Sequence, residues 1–90
     1  MASPSFAVQR VTMVAGLTQA IMPRFSGRTV TIGNGCPTDL FVYSTNADDT
    51  AYVAISAGWE RTITVPLFPF DQVVFWLKCS VAGTVTLIWS

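Results

Sequence analysis

The chain is 90 residues long, 51% apolar and 11% charged, with five Lys/Arg balanced by five Asp/Glu and no histidine. A soluble domain ordinarily carries about 25% charged residues, and a single domain of this size hides only ~60–65% of the surface its unfolded chain exposes, so the charges are too few to cover the exterior. The same figures exclude nucleic acid as a direct ligand, for want of a Lys/Arg surplus, and the missing histidine removes Ser-His-Asp and Cys-His catalysis and most zinc sites.

Phe6 to Val14 reads as a strand or an extended arm, and Leu17 to Met22 as another. The uncharged run from Val11 to Pro23 is shorter than the ~20 residues a membrane span needs, and Met1-Ala2-Ser3-Pro4 puts no basic segment ahead of it, so no span and no secretory leader are expected. Residues 1–27 are therefore taken as an N-terminal arm or first strands, with 28–90 as the body of the domain.

From residue 28 onward the chain alternates with period two, the mark of a half-buried strand. Val30 and Ile32 face away from Thr29 and Thr31, and Ile63 and Val65 from Thr62 and Thr64. Val73, Phe75 and Leu77 oppose Val74, Trp76 and Lys78, while Val85, Leu87 and Trp89 oppose Thr84, Thr86 and Ile88. Strands are expected at about 28–33, 39–44, 51–55, 59–65, 73–79 and 84–89. Turns are expected at Gly33-Asn34-Gly35-Cys36-Pro37, whose glycines permit positive φ, at 45–50, at Ser56-Ala57-Gly58 and at Val81-Ala82-Gly83. Pro66 and Pro69 keep 66–71 out of any central strand. With the two N-terminal segments the count is about eight, which predicts an all-β, small antiparallel β-sandwich, jelly-roll-like.

The candidate sites are few. Asn46, Asp48 and Asp49 offer oxygens to calcium but lack its usual complement of carboxylates; a solvated loop tip accounts for them, and no metal is expected. Glu60 and Asp71 do not make a glycosidase pair of evident geometry, and no enzyme activity or cofactor is expected. Cys36 and Cys79 stand too far apart in sequence for a Cys-x-x-Cys motif; two buried thiols acting as small hydrophobes is the favoured reading, and a disulfide stays open.

The aromatics carry more. Trp59, Trp76 and Trp89, with Tyr43 and Tyr52, would suit either a sugar-stacking platform or a core. Trp76 points outward if Phe75 and Leu77 point in, and an outward Trp more often marks a protein interface. Phe68 and Phe70, beside Leu67 on the proline-held loop, either meet a partner or cap the sandwich. The candidate interface residues are thus Phe6, Trp59, Phe68, Phe70, Trp76 and Trp89.

The runs Arg28-Thr29-Val30-Thr31-Ile32-Gly33-Asn34-Gly35, Thr38-Asp39-Leu40-Phe41-Val42-Tyr43 and Tyr52-Val53-Ala54-Ile55-Ser56-Ala57-Gly58-Trp59-Glu60-Arg61, with the closing Ala82-Gly83-Thr84-Val85-Thr86-Leu87-Ile88-Trp89, resemble small virion structural proteins of tailed bacteriophages. The likeness lies in turn and strand signatures over residues 28–90. It implies a capsid decoration (cement) or other minor head protein. Such a protein is a β-sandwich, often trimeric, that binds major capsid protein on the virion surface after assembly in the host cytoplasm, with no catalytic residues. A carbohydrate-binding sandwich and a tail or fibre component are the rival expectations.

Overall fold

The computed structural model describes residues 6–22, 29–43, 52–64, 73 and 75–90. Among these lie eight strands and no helix: β1 (Ala7–Met13), β2 (Gln19–Ile21), β3 (Thr29–Gly35), β4 (Leu40–Tyr43), β5 (Tyr52–Ile55), β6 (Glu60–Thr64), β7 (Phe75–Cys79) and β8 (Gly83–Trp89). They form two four-stranded antiparallel sheets, in the orders β1-β8-β3-β6 and β2-β7-β4-β5.

The pairing has a simple logic. β1 pairs with β8, β2 with β7, β3 with β6 and β4 with β5. The first half of the chain therefore runs against the second half as one long antiparallel hairpin. Rolling that hairpin up adds β3 against β8 and β4 against β7, which divides the strands between two sheets. This is the jelly roll, and β1 and β2 belong to it as the outer strands that pair with β8 and β7.

Alternation builds the core. Met13, Val30, Ile32, Val85, Leu87 and Trp89 come from the first sheet, and Ile21, Leu40, Val42, Ile55, Phe75, Leu77 and Cys79 from the second. All are buried in one cluster. Phe75 and Trp89 join the sheets directly, their rings stacked at 6.0 Å with 29° between planes.

There are two tight turns among the described residues, the second at the expected Ser56-Ala57-Gly58. Leu17 N–H donates to Val14 C=O across Gly16 at φ 73°, and Trp59 N–H to Ser56 C=O across Gly58 at φ 78°. Each places a left-handed glycine at the third turn position, as a type II turn requires. Gln19 secures the first, its Oε1 accepting from Val14 N–H and its Nε2 donating to Thr12 C=O.

The expected turn at Gly33-Asn34-Gly35 is instead the end of β3, held by β8 through Gly33 to Thr86, Asn34 to Val85 and Gly35 to Thr84. Neither glycine there has positive φ. Gly35 is needed because a Cβ would collide with the Thr84 carbonyl oxygen. The chain turns only at residues 36–38. Gly83 is constrained in the same way. A Cβ on it would lie 2.7 Å from Cys36 Cα and 2.9 Å from Cys36 Sγ. Gly83→Ala should therefore cost about 1–3 kcal/mol, the usual penalty for overpacking. Urea unfolding followed by circular dichroism would measure it, and an unchanged midpoint would show that this crossing is looser than described.

Candidate functional site

The two outer faces of the sandwich differ. On the first sheet, Thr12, Thr84, Thr86, Thr29, Thr31, Thr62 and Thr64 all turn outward. They are joined laterally by Thr31 to Thr62 (hydroxyls 2.8 Å apart) and by Thr29 to the Ser90 hydroxyl at 2.7 Å. Its apolar outward residues are Val8 and Ile88, which face each other across β1 and β8. Phe6, just before β1, is 53% exposed.

The second sheet presents aromatics. Register places Ala20, Trp76, Tyr43 and Tyr52 in one row across β2, β7, β4 and β5. Lys78, Phe41 and Ala54 form the neighbouring row. The inward partners on these strands are Phe75, Leu77, Leu40, Val42 and Ile55, so alternation fixes the aromatic set on the opposite side. Phe41 meets Tyr52 edge-on, with centroids 5.0 Å apart and planes at 85°, and Tyr43 lies 5.7 Å from Tyr52 at 57°. Tyr52 is exposed, Phe41 and Trp76 are half-buried, and Tyr43 is 8% exposed. The result is a knit aromatic surface with Lys78 at its side.

Trp59 lies apart from this row. It ends the β5–β6 turn, 71% exposed, and borders an open depression of about 300 Å³ with Ala54, Ile55, Ser56, Glu60 and Arg61. Beneath the turn sits Asn34, a buried polar side chain. Its Oδ1 accepts from Cys36 N–H, and its Nδ2 donates to Thr38 C=O and Ile55 C=O, each at 2.9 Å. Its backbone N–H donates to Trp59 C=O, and its C=O accepts from Gly58 N–H. Trp59 is thus an exposed indole on a backbone hydrogen-bonded to β3.

Among the described residues, the expected interface residues are not brought together. Phe6 and Trp59 are exposed on different elements, and Trp76 points outward beside Lys78 as alternation requires. Trp89 corrects an expectation: at 1% exposure it is in the core, its indole N–H donating to Gln9 Oε1 at 3.2 Å. The physical reason was already in its strand, since Trp89 shares a face with Val85 and Leu87; the outward neighbour is Ile88. Phe68, Phe70, Asp71, Asn46, Asp48 and Asp49 lie outside the described residues. Phe41 was missed, although the alternation of Leu40-Phe41-Val42-Tyr43 carries the same signal as that around Trp76.

Among the described residues, no three His, Cys, Asp or Glu side chains approach closely enough to hold a metal ion, and no helix is long and apolar enough to cross a membrane. Compared with protein-family models, curated proteins and solved structures, the chain matches none.

Proposed function

We propose that this chain is a non-enzymatic structural protein of a tailed-bacteriophage virion, a capsid decoration (cement) protein that binds the major capsid lattice from the outside. The observation that carries the reading is the aromatic outer face of the second sheet, centred on Trp76, Tyr43 and Tyr52. Aromatic residues are enriched, and charged residues depleted, where protein interfaces are buried. The jelly roll supports the reading because it recurs in viral capsid domains. The scarcity of charge supports it too, since a lattice that covers one face relieves the chain of solvating it. Many weak contacts, repeated over a lattice or within a trimer, would add avidity without any strong single contact. Neither nucleic acid nor a membrane enters this reading.

The test uses purified protein added to emptied phage heads, with density sought at regular lattice positions. Trp76→Ser should reduce occupancy by tenfold or more, as expected of an interfacial Trp worth about 2 kcal/mol, while unfolding free energy falls by less than about 1.5 kcal/mol. A protein that ignores capsids overturns the reading. A loss of stability of ~3–5 kcal/mol would instead make Trp76 a core residue.

A carbohydrate-binding role draws on the same row of aromatics, because jelly rolls also serve as lectins. A flat sugar ring needs a ring face laid open to it. The 85° and 57° tilts turn edges against faces within the cluster, which favours the protein partner. Binding on a glycan array, abolished by Tyr52→Ala, would reverse that preference.

A further inference from the structure

Cys36 and Cys79 approach from opposite sheets. Cys36 follows β3 of the first, and Cys79 ends β7 of the second, opposite Leu40. Both are free thiols, and both are buried. Their sulfurs are 3.6 Å apart, the Cys36 thiol donating to Cys79 Sγ and the Cys79 thiol to Val81 C=O at 3.0 Å. The surroundings hold this meeting in place. Asn34 Oδ1 fixes the Cys36 backbone N–H, and Gly83, by lacking a Cβ, leaves room for Cys36 against β8.

We propose that Cys36 and Cys79 are a disulfide-forming pair, a covalent staple between the two sheets that closes when the protein meets a low-molecular-weight disulfide such as oxidised glutathione. A disulfide needs sulfurs at about 2.05 Å, so the pair at 3.6 Å must close by roughly 1.5 Å. Local opening exposes one of the two buried thiols, and its thiolate attacks the glutathione disulfide, forming a mixed disulfide and releasing one glutathione thiolate. The second cysteine thiolate then attacks the protein sulfur and releases the other. Two protein thiols lose two protons and two electrons, and one glutathione disulfide becomes two thiols.

Burial, then the hydrogen bond and charge of Cys79, push the Cys36 thiol up to about 11. The thiolate is the reactive form, so attack by Cys36 is slow at neutral pH and quickens as pH rises towards that value. A protein carried from a reducing cytoplasm to an oxidising exterior would therefore close the staple after release. The inference does not depend on the capsid reading.

The experiment incubates the full chain with oxidised glutathione at pH 8.5. Expected are a mass loss of about 2 Da, the change of a dithiol becoming a disulfide, and a Cys36–Cys79 linked peptide on mapping. The melting temperature should rise by roughly 10–20 °C over the dithiothreitol-treated protein, as expected for closing so long a loop in a small domain. Cys36→Ala and Cys79→Ala should each abolish the gain. Persistent glutathione adducts, covalent dimers or a linked form that melts lower than the reduced one would each overturn the proposal. If an alanine variant fails to fold, the wild-type comparison with and without dithiothreitol still decides it.

Discussion

Trp89→Ala should lower the unfolding free energy by about 3–5 kcal/mol, the range for truncating a buried Trp. A domain of this length is ordinarily stable by only ~5–14 kcal/mol, so the variant would melt tens of degrees lower or fail to fold at 37 °C. Three losses combine. The side chain is 1% exposed, so its removal leaves a cavity in the core. The stack on Phe75, which joins the two sheets, disappears; such pairs are worth about 0.5–1.5 kcal/mol beyond their area. Gln9 Oε1 also loses its indole donor. Trp89→Phe separates these contributions, because it keeps much of the packing and drops the hydrogen bond. It should cost far less than Trp89→Ala. Thermal and urea unfolding of both variants provide the measurement, and a Trp89→Ala effect below about 1 kcal/mol would remove Trp89 from the core.

Asn34 gives the second large effect. Asn34→Ala would leave Cys36 N–H, Thr38 C=O and Ile55 C=O without the partner each now has. A buried group stranded in this way costs about 1–3 kcal/mol, and the three share one site, so a total of about 2–4 kcal/mol is expected. Asn34→Asp should be worse at neutral pH. It keeps the acceptor for Cys36 N–H but turns the two donated bonds into contacts between a carboxylate and carbonyl oxygens, in a place where the native side chain is 3% exposed. Burial and the facing carbonyls both favour the protonated carboxyl, so its folded pKa lies above the unfolded value of ~4. The folded state then binds more protons than the unfolded state, and stability falls as pH rises through that interval. Asn34→Asp should therefore recover part of its loss relative to Asn34→Ala at pH 4, and lose it again at pH 7. Parallel urea titrations at the two pH values would read this. A variant equally stable at both would mean that water reaches the site.

The loss at Asn34 would also loosen Trp59. The turn that carries Trp59 is tied to β3 by Asn34 N–H to Trp59 C=O and by Gly58 N–H to Asn34 C=O. Those backbone bonds depend on β3 keeping its extended path to Gly35, which the Asn34 side chain stabilises from the other side of the corner.

Much of this was legible in the residues. The strand positions, the outward direction of Trp76 and the tight turn at Gly58 follow from local rules, because alternation and a left-handed glycine are properties of a few neighbouring residues. Trp89 was legible too, since the alternation that buries Val85 and Leu87 buries it. Gly35 and Gly83 were visible only as glycines. Their reason is a close approach between β3, β8 and the turn at Cys36, which no local pattern describes.

The scarcity of charge acquires a location in the same way. It is expressed on the second sheet, where Phe41, Tyr43, Tyr52 and Trp76 face outward with Lys78 the charged neighbour in their rows, while threonines cover the first. The sequence alone determined that the chain is a set of antiparallel strands whose successive residues face opposite ways, because side-chain direction along a strand has period two. The tertiary structure decided which strands share a sheet, and hence that Trp76, Tyr43 and Tyr52 form one row, that Cys36 meets Cys79, and that Asn34 finds Ile55. Those meetings depend on register and on the rolling of a long hairpin, which bring together residues far apart in the chain.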